Sequence, residues 1–343
     1  MRAAVMSAPC QPLAVESVPD PAPPPDGAVV AIRATGICRS DWHTWMGHDP
    51  ARLPHVGGHE MAGIVVDVGA EVRRARVGDR VTLPFCLGCG VCATCTGGET
   101  QLCLAGVHPG FTAWGSFAEL VAIPHADVNL IELPDGIEFT AAAALGCRFM
   151  TAWAGVHVHG GVRAGDWVVV HGCGGVGLAA TMIATAAGAA VIAVDLDAGK
   201  LATARELGAV AAVDASGDDP VGEIRALTGG GAHVSIDAIG SSSVIEASVR
   251  SLRPRGVHVQ IGLLFGDDAA PTVPLARLLA LELRIAGTMG MSVRHFPALL
   301  RAVAAGSVDP RRLVTKTIGL EQVSDELELM SRFGQTGITV AEL

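Results

Sequence analysis

Two short stretches within residues 36–60 together gather a thiol, a hydroxyl, two carboxylates and two imidazoles. They lie in Gly36-Ile-Cys-Arg-Ser-Asp-Trp-His43 and Gly57-Gly-His-Glu60. Cys38 and His59 are the ligand types that a borderline-soft cation such as zinc prefers. Cys147, far downstream in Leu145-Gly-Cys-Arg148, closes a Cys₂His set. Three protein ligands leave a fourth position open, which distinguishes a catalytic zinc from a structural one. Ser40 and His43 beside this set are of the right type to carry a proton. The expected chemistry is polarisation of an alcohol oxygen.

A second group of thiols follows. Cys86, Cys89, Cys92 and Cys95 recur every third residue, with Cys103 after them. Five thiols compete for four ligand places in a Cys₄ structural zinc site. A four-iron cluster is the rival, but its run ends in a three-residue gap and a proline. Here the last gap is two residues and Thr96 follows Cys95. Spacing alone does not say which thiol is spare.

The third chemical signal is Gly172-Cys-Gly-Gly-Val-Gly177, a G-x-G-x-x-G run containing the additional Gly175. It follows the β-branched block Trp167–His171, opens an Ala-rich segment, and is followed by Asp195 at the end of the next apolar block. That is the context a dinucleotide fingerprint requires. Gly172 permits the turn, Gly174 admits a pyrophosphate, and Gly177 lets helix and strand pack. Asp195 would accept ribose hydroxyls and repel a 2′-phosphate, favouring NAD over NADP.

The elements that must position these residues are of two textures. Up to about His125 the chain has short β-rich blocks between Gly and Pro: 28–32, 62–66, 80–83 and 117–121. They suggest a small, partly closed barrel. From Asp166 apolar strands at 167–171, 190–194, 211–213, 234–236, 256–261 and 283–287 alternate with helical segments such as 200–207 and 275–281. Such alternation gives a doubly wound parallel sheet. After about Gly290 the chain turns helical and ends in a strand at 336–340, expected to rejoin the first domain. The fold class is therefore α/β, with a β-rich catalytic domain at 1–150 and 291–343 and a nucleotide-binding domain at 151–290.

The totals narrow the class. The chain has 343 residues and a net charge of -10, half of it hydrophobic and only 4% aromatic. An acidic chain without basic runs has no nucleic-acid footprint. The stretch from Trp167 to Val194 carries no Asp, Glu, Lys or Arg, but its glycines divide it into strand, helix and strand, not a membrane span. The first residues form no apolar leader, and the nine cysteines are mostly clustered, so a cytoplasmic location with metal-bound thiols is expected.

Taken together, these motifs resemble the zinc-containing medium-chain alcohol dehydrogenases over nearly the whole length. The resemblance implies a GroES-like catalytic domain, a Rossmann domain, and an active site in the cleft between them. It implies two zinc ions, NAD, and a small-molecule alcohol or aldehyde substrate. By matching position, Cys38, His59 and Cys147 take the catalytic zinc. Glu60 is the carboxylate able to approach it, and Asp41 orients His59. Cys89, Cys92, Cys95 and Cys103 take the structural zinc, leaving Cys86 spare. Arg39 contacts the pyrophosphate, Lys200 lies near the adenosine ribose, and Val176 packs behind the nicotinamide. The proton leaves through Ser40 and His43, with His43 titrating near neutrality. Cys173 replaces a larger aliphatic residue in the glycine loop and reads as a small apolar filler. Trp42, Trp45, Phe85 and Trp114 fall in stretches that border the substrate cleft, with Phe85 and Trp114 as pocket candidates. High apolar content and low charge suggest surface buried between subunits, and the resemblance implies a tetramer or a dimer. Two other readings stand: a polyol or amino-alcohol dehydrogenase, for which Phe85 and Trp114 are too apolar, and a cofactor-binding protein without turnover, against which the complete Cys38, His59, Cys147, Ser40 and His43 set argues.

Overall fold

The β-branched block after Gly27 grows into the long strand Ala28–Ile37 in a computed structural model that describes every residue except Phe333 and Gln335. This strand pairs antiparallel with Glu60–Val68 on one edge and with Leu120–Ile123 and Ile338–Glu342 on the other. Arg80–Thr82 and Ile131–Glu132 extend the sheet one way, and Val314–Gly319 the other, to seven strands. A separate three-stranded sheet joins Ala14–Ser17, Arg2–Met6 and His55–Val56. The block expected as a strand at 117–121 is displaced. Leu120–Ile123 pairs in the large sheet, whereas the Phe117 carbonyl accepts from Ala4 N and its N–H donates to the Gly57 carbonyl. Phe117 thus serves as a fully buried core residue beneath the glycine pair 57–58.

Helix Phe139–Ala144 packs on Ala28–Ile37 and Glu60–Val68 through Ala141 to Ala144, all buried. Small side chains let its backbone come close to the sheet. The chain continues through a π-helical turn, Leu145–Phe149, in which Gly146 leaves helical geometry at φ -52° and ψ -141°. A Cβ at Gly146 would lie 2.5 Å from the Cβ of Glu60, so only glycine permits this approach. Wide turns of this kind often occur at functional sites.

The chain divides into two compact units: Met1–Met150 with Gly290–Leu343, and Thr151–Met289. The second is a six-stranded parallel sheet ordered Ala211–Asp214, Ala190–Asp195, Trp167–His171, Ala232–Asp237, Leu252–Gln260, Arg284–Gly287. Val168, Val169 and Val170 of the central strand are all fully buried. A strand covered on both faces reads as a continuous apolar run, each valine contributing about 1.5–3 kcal/mol on burial as an upper bound. Strand order reverses beside Trp167–His171, and the crevice at the carboxyl ends of the strands there is where such sheets take ligands. The uncharged stretch 167–194 is strand, helix Gly175–Ala186 and strand. Among the described residues no helix is long and apolar enough to cross a membrane.

Candidate active site and metal centres

Cys38 follows directly on the long strand and caps the helix Arg39–Trp45. Its N–H donates to Asp41 Oδ2 at 2.8 Å. The other oxygen of Asp41 accepts from Gly58 N at 3.1 Å and from His59 Nδ1 at 2.8 Å. The carboxylate thus ties the cap to the turn before Glu60–Val68. It also fixes the tautomer of His59: with hydrogen on Nδ1, Nε2 presents a lone pair. That Nε2 is buried and has no hydrogen-bond partner. An orphaned acceptor at zero exposure is costly unless something electropositive meets it.

Cys147 arrives on the π-helical turn. One donor atom each from Cys38, His59, Glu60 and Cys147 lies within 4.8 Å of all the others. The Cys38 thiol is held well below its ordinary range, first by a hydrogen bond from Cys147, then by the charges of Arg148 and His59, all against burial. The same hydrogen bond, with burial, drives Cys147 well upward. For His59, burial opposes charge, but Asp41 and Cys38 raise its pKa well above the imidazole range. Two thiols and an imidazole competing for protons are a donor set that a divalent cation fits, releasing those protons on binding.

Glu60 lies among these donors, as its position implied, and is held there by Arg148. Its Oε1 accepts from Arg148 N at 3.1 Å and Arg148 Nε at 3.0 Å, and its Oε2 accepts from Arg148 Nη2. Both side chains are buried. A Cβ at Gly36 would come within 2.2 Å of Glu60 Oε2 and 3.2 Å of Arg148 Nη2, so glycine is required beside the pair. Burial pushes the Glu60 carboxyl up, and Arg148 opposes it. The carboxylate is near the other donors but is engaged by a guanidinium fork. Arg148 was legible only as a cation next to Cys147; nothing in the spacing linked it to Glu60.

The ladder cysteines converge as well. Donor atoms of Cys89, Cys92, Cys95 and Cys103 lie within 4.8 Å of one another. The sulfurs of Cys89 and Cys95 are 3.9 Å apart and those of Cys92 and Cys103 are 3.8 Å apart. Zinc–sulfur bonds of ~2.3 Å in a tetrahedron place sulfurs ~3.8 Å apart, so one ion fits. A four-iron cube, with each thiolate on a different iron, needs wider spacing. N–H groups of Val91 and Cys92 pull the Cys89 thiol down to about 6, favouring thiolate. Cys86 stands outside this set, and burial pushes its thiol up to about 12.

Two family models match the chain, an alcohol dehydrogenase GroES-like domain over residues 24–135 and a zinc-binding dehydrogenase domain over 175–305. An alcohol dehydrogenase of Rhizobium meliloti is 37% identical over 275 residues, 79% of each chain. A NAD-dependent alcohol dehydrogenase of Sulfurisphaera tokodaii is 32% identical over 95% of each. The chain belongs to the zinc-containing medium-chain alcohol dehydrogenases. The solved alcohol dehydrogenase of Thermus sp. ATN1 superposes with a TM-score of 0.93 at 30% identity, covering 100% of this chain and 99% of its own.

In this family setting the nucleotide-binding unit shows the expected glycine loop. Gly172 has φ +92°, and a Cβ at Gly177 would lie 1.7 Å from the Gly172 carbonyl oxygen. A Cβ at Gly174 would meet nothing within 4 Å, so this glycine faces open space where a pyrophosphate can approach backbone. Gly175 and Val176 open the helix behind it. Asp195 Oδ2 accepts from Cys173 N at 2.6 Å, and its Oδ1 from Asp197 N at 3.0 Å. Lys200 lies in the first turn of Ala198–Glu206, its N–H bonded to Asp197. Cys173 is fully buried, and burial drives its thiol up to about 12.

The remaining candidates are more scattered. Ser40 Oγ is 3.8 Å from Cys38 Sγ. Arg39 donates to the Met330 carbonyl at 2.7 Å and lies over the Trp42 ring. Phe85 is buried with its ring edge-on to His59 at 5.7 Å. Phe111, which had no distinguishing pattern, is closer at 4.7 Å. Trp114 is 38% exposed and donates to the Pro54 carbonyl. Trp42 and Trp45 belong to the core beside Arg2–Met6, with their indole N–H groups donating to Ser331 Oγ and the Gln11 carbonyl. They are packing residues. His43 also departs from expectation: burial, then His48 and Arg39, push its pKa down to about 4 rather than leaving it near neutrality.

Proposed function

We propose that the chain oxidises a primary or secondary alcohol with an apolar or aromatic substituent, using NAD, and runs the reverse reduction. The carrying observation is the buried, partnerless Nε2 of His59, oriented by Asp41 and grouped with Cys38 and Cys147. Three such donors leave one position for a substrate oxygen. Bound zinc supplies a Lewis acid for that oxygen, and bound NAD the hydride acceptor. The other roles fall to the chain. Ser40, whose hydroxyl both accepts and donates, takes the alcohol proton, and His43 conducts it outward. The loop from Gly172 to Gly177 and the start of its helix hold the pyrophosphate, with Arg39 as a further cation. Asp195 and Lys200 address the adenosine ribose, and Val176 backs the nicotinamide. Phe85 gives the substrate position an apolar wall, with Trp114 at its rim. Cys89, Cys92, Cys95 and Cys103 hold a structural zinc that folds their lobe.

The aromatic rings of Phe85 and Phe111 against His59 favour this substrate class over polyols, which need polar partners. The thiol-rich metal sites suit a reducing cytoplasm. Self-association into a tetramer or dimer accords with exposed Leu275, Leu279 and Ile285 near the edge strand Arg284–Gly287. NADH formation should be measured on the two-zinc protein with primary, secondary, aromatic and polyol alcohols. Turnover confined to polyols would replace the substrate class, and none on any alcohol would support a cofactor-binding role without catalysis. Light scattering near 35.0 kDa, the mass of one chain, would reject the oligomer.

A further inference from the structure

We infer that His48 is the partner through which His43 passes its proton to solvent, making a two-histidine exit from the site. Helix Arg39–Trp45 ends at Met46, and Gly47, at φ +79°, turns the chain back on itself. His48 N then donates to the His43 carbonyl at 2.9 Å, and Asp49 N to the same oxygen at 3.4 Å. The turn brings the two imidazoles together, Nδ1 to Nδ1 at 3.0 Å. Both rings stand edge-on to Trp42, at 5.0 and 5.4 Å. Trp42 is itself buried and anchored by its indole N–H to Ser331. Thus a fixed aromatic plate holds a half-buried imidazole against an exposed one.

Two ring nitrogens at hydrogen-bond distance share one hydrogen: one ring donates and the other accepts. If His43 carries hydrogen on Nδ1, its Nε2 is an acceptor, and His48 must carry its own hydrogen on Nε2. A proton arriving at His43 Nε2 then displaces the Nδ1 proton onto His48 Nδ1, and the Nε2 proton of His48 leaves to water. One proton enters, one leaves, and each ring ends neutral with its tautomer reversed. The starting tautomers return when both rings exchange with water, His43 losing its Nε2 proton and regaining one on Nδ1 while His48 loses its Nδ1 proton and regains one on Nε2. A single half-buried imidazole is a poor terminal acceptor here, because burial and the neighbouring His48 and Arg39 oppose a charge on it and Cys38 only partly compensates. A neutral two-ring exchange needs no long-lived cation on His43. Asp49, next to His48, adds a carboxylate on the same loop. His48 acts through His43 and is a positioning residue.

This rests on the reading of Ser40 and His43 as the proton route. The test uses the two-zinc enzyme with NAD and compares His48→Gln, His48→Glu and His43→Gln, with NADH affinity and zinc content measured alongside. In His48→Gln, alcohol oxidation should fall on the order of tenfold or more at about pH 6–7, recover above about pH 9, and be restored by added imidazole. His48→Glu, which keeps an acceptor, should retain most of the rate. In the wild-type protein, ¹⁵N spectra should show opposite tautomers for the two rings, independent of turnover. Wild-type rates in His48→Gln with an impaired His43→Gln would overturn the role of His48 and leave the Ser40–His43 route standing. Wild-type rates in His43→Gln would overturn both. A pH-independent deficit without imidazole rescue, or the same tautomer on both rings, would also overturn the two-histidine exit.

Discussion

Replacing Arg148 with Met removes the guanidinium and leaves a methylene stem of similar length. The structure sets the cost. Glu60 loses the N–H groups that meet both of its oxygens and keeps only the backbone N–H of residue 148. It stays at zero exposure, with Gly36 and Gly146 pressed against it, so water has no ready way in. Breaking a buried ion pair by deleting one partner costs about 3–5 kcal/mol, because the remaining charge is uncompensated. For a unit of roughly two hundred residues this corresponds to about 6–20 °C in Tm. Glu60→Gln alone should also destabilise, since it leaves Arg148 buried without its carboxylate. The double variant Arg148→Met/Glu60→Gln should recover most of the loss, because no isolated charge remains. Thermal unfolding of all four proteins, each with its zinc content measured, gives the coupling directly. A Tm for Arg148→Met within about 2 °C of wild type, where about 3–5 kcal/mol was expected, would refute the reasoning. So would a double variant no more stable than the weaker single one.

Cys92→Ser should lose one zinc per chain and lower Tm while the Cys38–His59–Cys147 zinc is retained, because ligand binding in such lobes is folding energy; elemental analysis that finds iron and sulfide would refute the assignment. Asp195→Gly should narrow the preference for NAD over NADP by removing a ribose acceptor and a charge that repels the 2′-phosphate; wild-type kcat/KM already higher with NADP would contradict it. His171 accounts for a pH dependence in the second unit: burial, with His258, pushes its pKa down to about 3, so only the unfolded chain binds that proton between ~6.5 and about 3. Its contribution is therefore complete above ~6.5 and lost by about 1.4 kcal/mol per pH unit below it. Hydrogen exchange at Val168–Val170 should follow that slope in wild type and flatten in His171→Gln.

Much of the fold was legible because its signals are local. The six parallel strands announce themselves as β-branched runs between glycines, and the observed strands lie at the expected stretches, with boundaries moved by at most a few residues. The misread block at 117–121 shows what local pattern cannot supply. Phe117 has the residue type of a strand, but its backbone is claimed by Ala4 and Gly57, partners more than fifty positions away in sequence. The N-terminal strands Arg2–Met6 and Ala14–Ser17 were missed because the first contains two alanines, poor strand formers, and the second is exposed along its whole length, so neither shows a strand pattern.

The candidate site divides along the same line. Ligand identities are written in residue types, so the Cys₂His and Cys₄ sets needed only to be brought together. What was not written there is how each group is charged and held. Glu60 reads as a carboxylate able to approach the metal, and the structure keeps it among the donors while adding Arg148 on both of its oxygens. His43 reads as a base near neutrality until burial and a second imidazole are counted. In both cases the residue's surroundings are set by one neighbour: an arginine eighty-eight residues away for Glu60, and a histidine five residues away but beyond a glycine turn for His43. Spacing fails for the first because the contact is long-range. It fails for the second because five residues along a helix would place the rings on different faces, and only the break at Gly47 brings them together.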